Sequence, residues 1–412
     1  MMIKTVIGIL TIFAIILAGI FIFKNMSHLN TDIQDKNKHA PKTIYIGWIG
    51  PLTGPASIIG IDNLNSVKLA FSEYEAKKTV NDPQIKLVVA DNKDETENSI
   101  AEYKKIIRTV KPVAIFLNTH SAVKALAKYA SQDSVILIDP IDNDSILSNL
   151  NHNIFLIAKE TEQLAGIDAD AIISHGKTNT LIIYNADDEF MGVLAKTMQE
   201  ILSSTGRNLS HVISYGTGTH NFQPFLQLAK EKNIDSYVFF GYQEIGLAMK
   251  QARDMGITAP FYSVNVITDP ILQKNSEGSV NGTYFSHFTK FDGNIVKADE
   301  FIDKYVARYG IKPQPEWVAM QAYDTTNILI SAIRQSLPNN DNKNIVENIS
   351  ENLRQVTEYE GVSGNITIKP NGASKGIYPN LYQIQDGLPI KLNPYGKISR
   401  PFFEKSKLIS RG

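Results

Sequence analysis

Apolar positions fall into two kinds of run that take turns along the chain. Thr43 to Ile49 is a β-branched and aromatic run, and Leu64, Val67, Leu69, Ala70, Phe71 and Tyr74 then recur at helical spacing. Ile85 to Val89 reads as a strand again, Ile100, Tyr103, Ile106 and Ile107 share one helical face, and Val113 to Leu117 and Val135 to Ile138 are strands around a further helix. Short apolar runs alternating with helical periodicity predict βαβ units, and therefore a parallel sheet covered by helices. The same grammar restarts after about residue 160, with strands near Thr180–Tyr184, Val212–Tyr215, Tyr237–Phe240 and Phe261–Val264. Helices over Gly192–Leu202, Phe222–Lys232 and Glu244–Met255 separate them, so two similar α/β lobes are expected. Helical stretches follow over Ala298–Tyr309, Trp317–Arg334 and Ile345–Val356, and then Gly361–Ile368 and Tyr378–Gln385 flank a Pro370-Asn371-Gly372 turn as short antiparallel strands.

The N-terminus carries a different pattern. Thr5 to Phe23, between Lys4 and Lys24, holds no charge and is almost wholly aliphatic or aromatic. A helix over it would be close to the roughly 30 Å of a bilayer core. No small-residue cleavage site follows at Phe21 to Asn25, which favours an uncleaved membrane anchor over a cleavable signal. Leu17, Ala18, Gly19 and Ile20 read like a lipoprotein box whose acceptor Cys has become Ile. Residues 25–42 are a polar linker, and the tail from 395 to 412 is mildly basic.

Composition narrows the function. The 412 residues are 43% hydrophobic and 20% charged, enough for two to three folded domains. Lysine plus arginine, 41, nearly balances the 42 acids, so no polyanion such as nucleic acid is expected as a partner. Cysteine is absent, which removes disulfides, thiolate metal sites and thiol nucleophiles. Catalytic signatures fail as well. Gly176-Lys177-Thr178 ends like a phosphate loop, but Ala171 stands where its first glycine belongs. Asp91 to Glu95 is acidic, yet Lys93 falls on a ligand position of a calcium loop. The eight histidines show no metal-ligand spacing. These absences argue against an enzyme and against a cofactor or metal.

Ile46-Gly47-Trp48-Ile49-Gly50-Pro51-Leu52-Thr53-Gly54-Pro55 resembles the opening of the type I periplasmic binding proteins of the leucine/isoleucine/valine-binding family. Gly241 to Gly246 leading to Gln251-Ala252-Arg253-Asp254-Met255-Gly256, the run Tyr305, Arg308, Tyr309, Gly310, Pro313, Ala322, Tyr323, Asp324, and the stretches Gly361 to Gly364 and Tyr382 to Gly387 resemble later blocks of that family, in order. The resemblance implies a Venus-flytrap fold: two doubly wound lobes of parallel sheet joined by three hinge crossovers, near residues 160, 287 and 360. The first lobe would take residues 43–160 and 287–360, and the second 161–286 and 361–394. It also implies an extracytoplasmic solute receptor that closes on an amino acid or related small polar ligand and hands it to ABC permease subunits, here held to the cytoplasmic membrane by residues 1–24. A membrane-anchored regulatory or sensor module that kept the fold and lost transport is the alternative.

Carried over position by position, the resemblance puts His120, with Ser121 beside it, at the serine that holds the ligand carboxylate, and Ile141, Asp142 and Asn143 in the second carboxylate segment. Ile59 and Phe190 fall on aromatic positions that wall the ligand side chain. The acid that takes the ligand ammonium aligns with Asn265, and an aromatic position aligns with Gly241, next to Tyr242. His120, Ser121 and Asn143 would thus fix a polar group on the first lobe while Tyr242, Asn265 and Phe190 close over it. Other readings stay open: His120 as a helix cap, Asp142 to Asp144 as a loop and cap cluster, and Glu244 as a helix-start residue. Asp187, Asp188 and Glu189 form either a solvated loop or a replacement anion for a cationic ligand.

Overall fold

The computed structural model describes residues 43–392 apart from Pro55, Arg207, 289–294 and 338–344. The expected anchor, polar linker and basic tail lie outside the described residues, among which no helix is long and apolar enough to cross a membrane.

The first sheet is built by β1 (Thr43–Gly50), β2 (Gln84–Asp91), β3 (Ala114–Phe116), β4 (Ile136–Asp139) and β5 (Ile154–Leu156). All pairings are parallel and the strand order is β2-β1-β3-β4-β5. The central strands are buried on both faces, which is why β1 and β4 read as continuous apolar runs instead of alternating. Between them run α1 (Ser57–Lys77), α2 (Thr96–Val110), α3 (His120–Asp133) and the single turn α4 (Ser145–Ser148). Helices α2 and α3 cover one face through Tyr103, Ile106, Val123 and Leu126. Helix α1 covers the other, and Trp48 Nε1 donates to Asn63 Oδ1 beneath it at 2.9 Å.

The second sheet repeats that order. Helix α5 (Thr161–Ser174) leads into β6 (Asn179–Asn185), α6 (Glu189–Ser204), β7 (Leu209–Tyr215), α7 (Gln223–Glu231), β8 (Ser236–Phe240), α8 (Glu244–Asp254) and β9 (Phe261–Val264). A 3₁₀ turn over Asn265–Thr268, α9 (Pro270–Asn275) and β10 (Tyr284–His287) complete the parallel part, ordered β7-β6-β8-β9-β10. The chain then returns to the first sheet with α10 (Ile295–Tyr309), α11 (Glu316–Ser336) and α12 (Ile345–Arg354). Helix α11 packs along α1, and the α10 hydroxyl of Tyr305 donates to Asp62 of α1. Strands β5 and β10, each three or four residues long, are additions to the sequence reading.

One boundary moves. Strands β11 (Tyr359–Glu360), β12 (Asn365–Ile368) and β13 (Ser374–Lys375) form a small antiparallel sheet, and Ala373 bridges Leu156 of β5. Gly372 sits at φ 85, where an added Cβ would lie 2.0 Å from Ile154 O, so only glycine permits this approach. Residues 359–375 therefore extend the first sheet, and the third crossover falls after Lys375 instead of near 360. Only β14 (Asn380–Gln385) and β15 (Leu388–Lys391) join the second sheet, antiparallel beside β10. Two-residue strands separated by glycines carry too little periodicity to reveal which sheet they extend.

Candidate functional site

In both sheets the order reverses beside the first strand, between β1 and β3 and between β6 and β8, and open α/β sheets bind ligands outside the strand carboxyl ends at such a point. The loops leaving those ends carry the charged groups that meet between the lobes.

His120 opens α3, just past β3. Its Nε2 lies 3.0 Å from Asp144 Oδ2 and its Nδ1 3.0 Å from Glu189 Oε2, the latter on α6 of the opposite lobe. Lys124, one turn further along α3, reaches the other oxygen of Glu189 at 2.5 Å. One carboxylate of the second lobe is thus gripped by two cationic groups of the first. Burial and the positive end of α3 both disfavour an imidazolium. Burial is the largest single influence, yet Asp144, Asp142 and Glu189 together overcome it and push His120 up to about 9. Glu189 is held below the usual carboxylate range, chiefly by its bond from Lys124.

Behind this contact lies a buried group of opposite charges. Asp139 ends β4 and accepts from the amides of Ile141 at 2.7 Å and Asp142 at 3.2 Å, which shapes the loop after the strand. Asp142 is 8% exposed, and among the described residues its carboxylate accepts no hydrogen bond and makes no ion pair. Burial raises it to about 6 against the pull of His120 and Lys159. Lys159, 3% exposed on the first crossover, places Nζ 2.9 Å from the Trp317 ring centroid and 5.2 Å from that of Phe288. Burial brings Lys159 down to about 7 despite Asp142 and Asp139. Burial and the Lys159 charge take His287 down to about 4.

From the second lobe, Asp188 caps α6 by accepting from Met191 N at 2.8 Å, and its other oxygen accepts from Tyr242 Oη at 3.1 Å. Asp94, past the end of β2, is raised by burial of its carboxyl and by the charge of Asp188, although the residue as a whole is exposed. Tyr242 is raised well above its ordinary value by burial of its hydroxyl and by Asp188, Asp142 and Asp94, although the residue as a whole is 44% exposed. The charges of Asp94 and Asp142 of the first lobe are thus felt by Tyr242 of the second, which is in contact with Asp188. Glu244 stands outside it: in the first turn of α8, its Oε1 accepts from Tyr215 Oη at 2.8 Å and from the Tyr242 amide at 3.2 Å.

Residues 43–385 match the profile of a family described as periplasmic binding protein. The chain belongs to that family. Among curated relatives, the Leu/Ile/Val-binding protein of Citrobacter freundii is 20% identical over 249 residues, covering 58% of this chain and 66%, just under two thirds, of that protein. The Leu/Ile/Val-binding protein homolog 1 of Brucella suis is 20% identical over 85% of this chain and 92% of its own length. The crystal structure of a leucine binding protein from Thermotoga maritima superposes with a TM-score of 0.72 at 21% identity, over 85% of this chain and 97% of that one. A branched-chain amino acid transporter substrate binding protein from Streptococcus pneumoniae, in complex with isoleucine, gives 0.69 at 23% identity over 86% and 100%. At these identities the structural likeness speaks for the fold.

Within this periplasmic binding protein, the residues expected at the site take up different places. His120 lies between the lobes, but in contact with Asp144 and Glu189, so it neither caps α3 nor stands open as a carboxylate anchor. Asn143 is likewise committed: its amide donates to Ala158 O at 2.8 Å and Ser374 O at 3.0 Å, tying the β4 loop to the first and third crossovers. Ser121 is exposed on α3, and Ile141 is buried in the core. Ile59 on α1 and Phe190 on α6 are half-buried against that core, and Asn265 starts the 3₁₀ turn, half-buried, with its carbonyl accepting from Thr268 Oγ1 at 2.8 Å. Tyr242 is on the cleft side with Asp188. The sequence reading missed Lys159, Trp317, Asp139 and Asp94. A lysine directly after the apolar run Ile154–Ala158, and an aspartate ending a buried strand, are the signals that mark the first and third of these.

Proposed function

We propose that this chain is an extracytoplasmic solute-binding receptor that closes its two lobes on one small polar molecule and presents the closed form to ABC permease subunits. The observation that carries the reading is the meeting of two sheets of identical strand order through their carboxyl-end loops, with Glu189 of one lobe gripped by His120 and Lys124 of the other. Hinge closure around a ligand at such a junction is a common means of capture. Relatives named for leucine, isoleucine and valine binding support amino acids or related small molecules as the solute class, and a benzoate complex of a Rhodopseudomonas palustris solute binding protein on the same fold widens that class. The uncharged Thr5–Phe23 run supports a membrane tether. Binding would be stoichiometric, without turnover.

A screen of thermal unfolding against amino acids, amines, amides and small carboxylates tests the reading. A true ligand at about 1,000 times its Kd adds about 4 kcal/mol to stability, a plainly visible shift. A screen in which a compound is consumed instead of bound would overturn the receptor assignment. The direct contacts of Glu189 with His120 and Lys124, which join the lobes through their own side chains, favour a second reading, an envelope sensor module that has lost transport. Co-purification with permease subunits argues for transport, and with a sensor kinase or a cell-wall enzyme for regulation.

A further inference from the structure

On the footing of the receptor reading above, the crossovers that join the lobes indicate the chemistry of the solute. Lys159 follows β5 and Phe288 follows β10, so the first two crossovers leave the carboxyl ends of their sheets, the side on which open α/β sheets bind ligands. Lys159 Nζ lies 2.9 Å from the Trp317 ring centroid and 5.2 Å from that of Phe288, and the two rings are 6.4 Å apart. The Lys159 amide donates to Gln321 Oε1 at 3.2 Å. Trp317 and Gln321, four residues apart, share one face of the first two turns of α11. Direct contacts thus gather three buried side chains, Lys159, Trp317 and Gln321. Their unused atoms are all donors. Trp317 Nε1 and Gln321 Nε2 are buried with no hydrogen-bond partner among the described residues, and Lys159 Nζ rests on the indole ring with no hydrogen bond or ion pair among them. Buried donors are normally matched, because an unmatched one loses its hydration without return. A trapped water satisfies the two neutral donors but not the ammonium, and Asp139 and Asp142 act on that ammonium only through space.

We infer that this floor holds the carboxylate of a small organic acid, received by Lys159 Nζ, Trp317 Nε1 and Gln321 Nε2. Three donors, one of them charged, with no acceptor left over, call for an oxyanion, and charge-assisted bonds are the strong ones. The Trp317 and Phe288 rings beside the ammonium put apolar surface next to the charge, which suits a carboxylate carried on hydrocarbon better than a hydrated inorganic anion. Trp317 stands in the first turn of α11, whose positive end adds to the attraction. Because Lys159 and Phe288 belong to two different crossovers, the anion meets the segments that turn as the lobes close, which couples binding to closure.

Calorimetric titration of the full-length protein in detergent with 4-methylpentanoate, benzoate, leucine, 3-methylbutylamine and sulfate tests this. The expected result is saturable binding of at least one of the three carboxylates, weakened tenfold or more in K159M and threefold or more in W317F, and unchanged in K196Q, which removes an exposed cation on α6. The same carboxylate should change the tryptophan fluorescence, and W317F should abolish that change, because the other tryptophan, Trp48, is buried with its Nε1 bonded to Asn63. If K159M fails to fold, W317F carries the test. Carboxylate binding that is unchanged in the folded variants overturns the site, and shows Lys159 to be only a counter-charge for Asp139 and Asp142, while the receptor reading stands. Saturation by the amine or by sulfate with no carboxylate bound overturns the solute class and also leaves the receptor reading standing. No binding by any of the five overturns the inference, and the receptor reading then rests on the wider unfolding screen, which fails separately if a compound is consumed.

Discussion

His120 shows at the scale of one residue how charge placement decides a protonation state that composition leaves open. A histidine at the start of a helix, largely buried, should be neutral; three carboxylates around it reverse that and lift it to about 9 from 6.5. The folded pKa is raised, so its contribution to stability is complete below about pH 6.5 and is lost as the pH rises through about 9. A shift of that size corresponds to about 3 kcal/mol. Lys159 runs the other way, since its depressed value makes folding more favourable as the pH climbs from about 7 toward 10.5. The two are separated by comparing the protein with H120Q by denaturant unfolding from pH 6 to 10. The stability difference between them should be about 3 kcal/mol at pH 6 and shrink toward zero above pH 9. A constant difference across the range would show that His120 is not charged in the folded state.

At the scale of elements, close approaches of backbone set which helices can pack. Gly246 in the first turns of α8 is an example: an added Cβ would lie 2.3 Å from Leu272 O and 3.2 Å from Ser276 N of the α9 region. G246A should cost about 1–3 kcal/mol by overpacking and leave solute affinity unchanged, because neither helix carries a donor of the proposed site. Thermal unfolding and a binding titration on the same sample check both halves. Helices and long strands were legible in the sequence because each repeats a hydrophobic period over many residues, as β6, α6 and α11 do. Strands β5 and β10, and the allegiance of β11–β13, were not, since they are short and their partners are remote in the chain.

At the scale of the molecule, the lobes are joined by three crossovers and by the grip of α3 on Glu189. Half-exposed ion pairs are worth about 0.2–1 kcal/mol, so the Lys124–Glu189 contact biases closure without locking it. E189Q should shift the protein toward a more open form, seen as a larger maximum dimension in small-angle scattering, and weaken solute binding by about fivefold or less. The effect should fade in about 1 M salt, where the screening length is about 3 Å. An unchanged scattering profile in E189Q would mean that the hinge segments alone hold the lobes together. Asn143, bridging two crossovers to the β4 loop, is the residue through which such rigidity would act.

The α/β class, the duplicated lobes and the family were determined by the sequence itself, because hydrophobic period and the order of motif blocks are properties of the chain read end to end. It also marked His120, Tyr242 and the Asp187 to Glu189 run as the places to look. The use of those residues was decided only by tertiary structure. Whether His120 caps a helix, meets a ligand or grips the other lobe depends on Asp144 and Glu189, 24 and 69 residues away in the chain, and how far Asp142 ionises depends on its burial against the charges of His120 and of a lysine at the crossover. Electrostatic partnership and burial are relations between distant segments. They come into being when the two sheets meet.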